Sequence, residues 1–136
     1  MCKPAVMAVL IAIALRLHPD SAAERRWFVA ALVLSLAGDV ALMLDKFEVG
    51  LGSFLLAHLA YIAGFLALGA ALPRFLGAAL VLAFVGWAVG GTVLRAVGRS
   101  PLRVPVGLYM AAISVMAACA LGTGRWLAAL GALLFY

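Results

Sequence analysis

Six apolar segments follow one another along the chain, each separated from the next by a short polar break. They cover residues 4–17, 24–44, 49–71, 73–96, 101–121 and 125–136. A helix that crosses a bilayer needs about 20 apolar residues; the four middle segments reach that length, and the two outer ones are shorter. The pattern predicts an all-α, polytopic transmembrane helical bundle with about six helices or part-helices in a single domain, 1–136.

The polar breaks contain residues that start or stop helices. Pro73 stands at a helix start, and the segments "HPDSAAERR" and "GRSPLRVP" combine prolines with capping residues. Such short breaks predict antiparallel neighbouring helices joined by tight turns. The two sides of the predicted bundle receive five lysines or arginines each, so the positive-inside rule assigns no orientation.

The composition confirms the membrane character of the pattern. Hydrophobic residues make up 68% of the chain, charged residues 11%, and the mean hydropathy is +1.24, whereas soluble domains are about 45–50% apolar. The basic residues behind the net charge of +5 are spread singly, which argues against binding to nucleic acid. Cys2 and Cys119 have no Cys or His nearby, so we predict no metal site, and nothing indicates a cofactor.

A weak internal repeat links the second and sixth segments. "RWFVAALVLSLAGD" begins at Arg26 and "RWLAALGALLFY" begins at Arg125, an offset of 99. Both segments are even-numbered and hence parallel, which fits a parallel four-helix repeat. The offset places the counterpart of Asp39 at position 138, two residues past Tyr136.

The stretch "SLAGDVALML" puts one carboxylate, Asp39, inside the second apolar segment. A carboxylate in a spanning helix is costly, and such residues are by default candidates for function. Ser35, one turn earlier, offers a hydroxyl that could hydrogen-bond the carboxylate, and Gly38 allows close approach of another helix. The alternative is a carboxylate near the interface with a structural role only.

The third segment, "SFLLAHLAYIAGF", carries Phe54, His58, Tyr61 and Phe65 on one helical face. If the second and third helices form a hairpin around "DKFE", Asp39 lies near Phe54 and within about a turn of His58. His58 could then hold or relay a proton. The alternative is a core histidine bonded to a backbone carbonyl or a tyrosine hydroxyl.

Two polar residues of the fifth segment are further candidates. Arg103, on the same predicted membrane side as the Asp39 end of its helix, could bind a lipid phosphate. Tyr109 places a polar hydroxyl group in an otherwise apolar helix. Both also fit plain interfacial anchors. The "GWAVG" sequence, residues 86–90, is a GxxxG pattern to which we assign no function.

The Gly-Asp motif, the Phe-x3-His-x2-Tyr-x3-Phe pattern, "RVPVGLYMAAISVM" and "GALLF" together resemble the YhhN-like family, which includes the lysoplasmalogenases. The resemblance covers Lys3 to Phe135. It implies an eight-helix bundle that hydrolyses the vinyl ether bond of lysoplasmalogens and releases a fatty aldehyde and a glycerophospho-ethanolamine or -choline. It also implies an active site of two aspartates: Asp39 is the first, the second is expected just past the "GALLF" run, and an earlier first helix is expected before Lys3.

The implied chemistry requires one protonated acid and one base, which a pair of carboxylates in an apolar pocket supplies. In that interpretation Asp39 and His58 are catalytic, and the substrate is bound by Ser35, Phe54, Tyr61, Tyr109 and Arg103. The partners are a lysophospholipid and the bilayer, with a homo-oligomer left open, and the location is a bacterial inner membrane. A proton-coupled transporter or channel is the main rival, against which stands the absence of helix-breaking Gly or Pro in mid-span. A membrane scaffold protein is the third alternative.

Overall fold

The computed structural model describes residues 3–16, 22–69, 71–98 and 100–133. For residues 3–5, 88 and 89 it describes the backbone only. Its elements are six helices: α1 Lys3–Arg16, α2 Ala22–Met43, α3 Phe47–Ala67, α4 Leu72–Val97, α5 Arg103–Gly122 and α6 Trp126–Leu133. The described part of the chain contains no strand. The predicted all-α class is thus confirmed. Cys2, the break at 17–21, Arg99 and the end of the sixth predicted segment, 134–136, lie outside the described residues.

Among the described residues, three helices are long and apolar enough to cross a membrane: α2, α3 and α5. A fourth span exists if the two parts of α4, Leu72–Trp87 and Gly90–Val97, are counted together, and these parts are inclined by 42° to each other. The expectation that no span is broken in its middle is therefore wrong for α4. The bend coincides with the glycines of "GWAVGG", which favour the helix less than other residues and leave room for a kink.

The chain divides into two compact units, residues 1–67 and 68–136. In the first unit α2 packs against both α1 and α3. The buried residues of α2 are all small: Ala31, Ser35, Gly38 and Ala41. Small side chains let helix backbones approach closely, which is how helices associate where lipid removes the hydrophobic driving force. The expectation of a single domain stays a prediction.

In the turn between α2 and α3, the C-terminal end of α2 is capped by an aspartate in the left-handed backbone conformation. Asp45 has a φ of 57°. The Asp45 N–H donates to the Leu42 carbonyl at 3.2 Å and the Lys46 N–H to the Ala41 carbonyl at 2.9 Å. These two bonds define a Schellman motif, in which the residue with positive φ is usually glycine.

Replacing Asp45 by Gly is expected to stabilise the protein. Glycine adopts positive φ without a clash of its Cβ, so we expect a gain of about 0.5–1 kcal/mol, whereas Asp45→Val at the same position should destabilise. The measurement is thermal unfolding of the detergent-solubilised protein. A lower midpoint for Asp45→Gly would contradict this account of the turn.

In the second unit α5 is the central helix and packs against α4 and α6. Its C-terminal half is buried on several sides, since Met116, Ala117, Ala118, Cys119 and Ala120 are all nearly inaccessible. The N–H of Ala71, just before α4, donates to the carbonyl of Gly122 at the end of α5 at 2.9 Å. This bond satisfies one helix-end acceptor and fixes the start of α4 beside the end of α5. The predicted four-helix repeat relates helices of different units and stays a prediction.

Candidate functional site

The α2–α3 pair carries five of the predicted site residues. A Cβ added at Gly38 would lie 2.8 Å from the Phe54 ring, and one added at Gly50 would lie 2.7 Å from the Leu42 side chain. The two helices therefore approach so closely that a larger residue at either glycine would have to displace the Phe54 ring or the Leu42 side chain. Phe54 packs directly on the residue that precedes Asp39, at the position where the sequence predicts it.

Contacts between the two helices follow one another in order of distance from the turn. Leu42 packs on Gly50, Phe54 packs on Gly38, and Phe28 packs on Gly64. Asp39 and His58 lie on this same helix pair: Asp39 follows Gly38, which Phe54 contacts, and His58 is one turn after Phe54 on α3.

The Ser35 side chain is hydrogen-bonded to Tyr61. The sequence suggested Asp39 as the partner of Ser35, because the two are one turn apart on α2, and in this respect the structure differs. Ser35 is buried, and Tyr61 belongs to the facing helix α3. A buried hydroxyl must be hydrogen-bonded, and Tyr61 supplies the partner across the helix interface.

His58 is buried in α3 and its Nδ1 donates to the carbonyl of Phe54 at 2.6 Å. A carbonyl only accepts, so the proton of neutral His58 resides on Nδ1, and Nε2 is the basic nitrogen. The bond is the one expected for a core histidine, and it also fixes the ring orientation. Orientation of a ring through Nδ1 is compatible with a role for Nε2 in proton transfer.

Asp39 lies four residues before the end of α2, beside the buried stripe rather than within it. It is half-buried, and it forms no hydrogen bond or ion pair with any residue that the structure describes. A structural carboxylate in a spanning helix is normally paired, because an unpaired one is costly. The part of the chain described here provides no such pairing.

Two features of this pair were not predicted from the sequence. The Phe28 ring of α2 packs against Tyr61 in a tilted arrangement at a centroid distance of 5.9 Å and edge-to-face against Phe65 at 5.1 Å. The Ser53 hydroxyl donates to the Leu34 carbonyl at 2.7 Å. The Phe28 contacts place apolar surface beside Tyr61. The sequence signal for them is an aromatic residue on α2 that can face the helical turn of α3 from Tyr61 to Phe65. The Ser53 bond depends on how the two helices pack and has no sequence signal.

The other two candidates, Tyr109 and Arg103, lie on α5 in the second unit. Arg103 is the first residue of α5 and is exposed, and Tyr109 is half-buried. Tyr109 borders a groove of about 1050 Å³ between α4 and α5, whose walls include Phe75, Leu82, Trp87, Leu94, Val106 and Met110. The structure thus assigns the seven candidates to two places, five on α2–α3 and two on α5. No group of three or more His, Cys, Asp or Glu side chains suited to a metal occurs among the described residues.

The chain is similar to two curated mycobacterial proteins. It is 41% identical over 130 residues to a protein named lysoplasmalogenase from Mycobacterium bovis and, to the same extent, to one from Mycobacterium tuberculosis. Each alignment covers 86% of this chain and 47% of the relative, so the chain spans about half the length of these curated relatives. No solved structure is significantly similar. The sequence profile of the YhhN family matches residues 1–136, and the chain belongs to this family of integral membrane proteins.

Proposed function

We propose that the full-length protein hydrolyses the vinyl ether bond of lysoplasmalogens and that Asp39 exchanges protons with the substrate. The observation that carries this proposal is the position of Asp39. It lies in a spanning helix, has no hydrogen bond or ion pair with the described residues, and is one turn from the Ser35–Tyr61 hydrogen bond. The 41% identity to proteins named lysoplasmalogenases supports the choice of reaction.

Vinyl ether hydrolysis needs a proton at carbon and then a water molecule. An acid adds a proton to the outer carbon of the C=C bond, and the adjacent carbon becomes an oxocarbenium ion. Water adds to that carbon and loses a proton, which gives a hemiacetal. The hemiacetal then breaks its bond to the glycerol oxygen, which takes a proton and leaves as the alcohol, while the other fragment leaves as the aldehyde. The sum is vinyl ether plus water giving alcohol plus aldehyde.

One carboxylic group can serve both proton steps in turn. Protonated Asp39 gives its proton to the vinyl carbon, and the resulting carboxylate takes the proton lost by the attacking water, which restores the acid. General acid–base catalysis of this kind accelerates reactions by about 10²–10⁴. The second aspartate expected from the family resemblance would divide these two roles between two groups.

The neighbouring side chains have supporting roles in this proposal. His58, held at Nδ1 by the Phe54 carbonyl, and Tyr61, held by Ser35, provide polar groups on the same helix pair as Asp39 that can orient a water molecule. Phe54 and Phe28 offer apolar surface next to these groups. The membrane is proposed to be a bacterial inner membrane, and a homo-oligomer is compatible with this arrangement.

The test is aldehyde release by the full-length protein in detergent, with two matched lipids. A lysoplasmalogen should release its fatty aldehyde, whereas the same lysolipid with a saturated ether bond should not react, because it has no vinyl carbon to protonate. Equal reaction of both lipids, or of neither, would contradict the proposed activity. The rate of aldehyde release is divided by the concentration of folded protein, which gel filtration measures.

A proton-coupled transporter is a second candidate because of the 42° bend in α4. Transporters build substrate sites from spanning helices that are broken near the membrane midplane. The discriminating measurement is proton flux into liposomes that contain the full-length protein and a pH-sensitive dye. Flux without aldehyde release favours transport, and aldehyde release without flux favours hydrolysis.

A further inference from the structure

The groove between α4 and α5 extends along most of both helices. It reaches from Phe75 to Leu94 on α4, which is 19 residues or about 28 Å of helix. That length is close to the ~30 Å thickness of the hydrocarbon core of a bilayer. The lining is almost entirely apolar, and Tyr109 and Ser114 contribute its polar groups. Its shape and lining suit a long hydrocarbon chain.

One end of the groove is positively charged. Residues 49–136 contain five arginines and no aspartate or glutamate. Two of these arginines are exposed and lie just beyond the lining at this end: Arg95 follows the lining residue Leu94 on α4, and Arg103 precedes the lining residue Val106 on α5 by three positions. Arg95 Nε donates to the Gly91 carbonyl at 2.8 Å, which leaves its two terminal amino groups to other acceptors. The Arg103 side chain has no hydrogen bond or ion pair with the described residues.

The register of α4 and α5 brings the two arginines to nearly the same depth. A Cβ on Gly90 would contact Met110 at 2.9 Å, and one on Gly107 would lie 3.9 Å from Leu94. In this register Arg103 lies about two residues, or ~3 Å, farther out than Arg95. Tyr109 lies at the level of Gly91, about 6 Å deeper than Arg95. The order from the mouth inward is therefore cationic, then phenolic, then apolar.

We propose that this groove binds a lysophospholipid, with its phosphate at Arg95 and Arg103, its glycerol at the level of Tyr109, and its hydrocarbon chain along α4 and α5. Arginine binds phosphate oxygens through charge-assisted hydrogen bonds, and no carboxylate of this unit competes for it. The choice of a lysolipid rests on the proposed function.

The experiment uses the full-length protein in detergent and a lysophospholipid whose chain has a saturated ether bond and a mid-chain diazirine. This probe is not a substrate, so its binding is read independently of hydrolysis. After irradiation, mass spectrometry should find adducts on residues 82–87 of α4 and 110–114 of α5. Unlabelled ether lysophospholipid should suppress these adducts, and a diacyl phospholipid at the same concentration should not.

Variants assign the two ends of the site. Arg95→Gln and Arg103→Gln should each raise the probe concentration at half-maximal labelling about tenfold, because each loses a charged hydrogen-bond donor. Ala83→Phe, at an exposed lining position, should abolish labelling of the groove, whereas Leu80→Phe, on the same helix but outside the lining, should leave it unchanged.

Three results would overturn the proposal: adducts spread evenly over the lipid-facing residues, equal competition by the diacyl phospholipid, or labelling that neither arginine variant alters. Labelling of the groove in a protein that releases no aldehyde would overturn the proposed hydrolysis and leave the lysolipid site in place. Release of aldehyde without labelling of the groove would overturn the lysolipid site and leave the proposed hydrolysis in place.

Discussion

Replacing Asp39 by Asn should lower kcat/KM for aldehyde release by about 10²–10⁴. Asparagine has nearly the shape of aspartate, so helix packing is preserved, but its amide neither donates a proton to carbon nor takes one from water. Asp39 also lies beside the buried stripe of α2 rather than within it, and it has no partner among the described residues that the substitution would leave unsatisfied. The loss should therefore be one of rate and not of folding.

The matched control is Asp45→Asn in the full-length protein. Asp45 is exposed in the turn between α2 and α3, and asparagine tolerates its positive φ as well as aspartate does. This variant removes the same charge without touching the proposed chemistry, so its kcat/KM should equal that of the wild type. Asp39→Glu should keep part of the activity, because it retains the acid at a shifted position. Wild-type activity in Asp39→Asn would exclude Asp39 as the proton carrier.

Gly38→Ala should destabilise the α2–α3 pair by about 1–3 kcal/mol, the usual cost of an added methyl group in a closely packed interface. The new Cβ would meet three atoms of the Phe54 ring at 2.8–3.0 Å, so the ring or the helix must move. Because the Phe54 carbonyl accepts the hydrogen bond of His58, a shift of α3 also changes the His58 position. We therefore expect lower stability together with lower activity.

Gly52→Ala is the control for this substitution. Gly52 lies on the same hairpin in α3, and a Cβ there would meet nothing within 4 Å. Alanine favours the helix over glycine by about 1 kcal/mol, so Gly52→Ala should be neutral or stabilising. Thermal unfolding in detergent measures both variants. Equal unfolding midpoints for the two would mean that the close contact at Gly38 has no energetic importance.

The helices could be predicted from the sequence because apolar length alone determines which segments can cross a bilayer. The hairpin geometry near Asp39 was also within reach, since a short turn such as "DKFE" forces residues equidistant from it to face one another. Phe54 accordingly packs on Gly38. Both inferences depend on one-dimensional features: the length of an apolar run and the distance from a turn.

The features that escaped prediction depend on contacts between side chains and on backbone geometry. The sequence offers Ser35 two acceptors, Asp39 one turn away on its own helix and Tyr61 across the interface. The structure pairs Ser35 with Tyr61, and the packing of the two helices, which the sequence does not specify, determines this choice. Likewise the glycines of "GWAVGG" permit straight packing and bending alike, and the sequence does not determine which of the two occurs. The groove along α4 and α5 is a consequence of such packing and has no sequence motif.

The most direct test of the role of Asp39 is to follow hydrolysis in heavy water. The full-length protein is given a lysoplasmalogen in D₂O, and the aldehyde is reduced at once to the alcohol so that later exchange of its α-hydrogens is avoided. If Asp39 delivers a solvent-derived proton to the vinyl carbon, the wild-type product carries one deuterium on the carbon next to the former aldehyde, and Asp39→Asn forms this product at least about a hundredfold more slowly. A product without deuterium, or equal rates for the two proteins, would contradict the account.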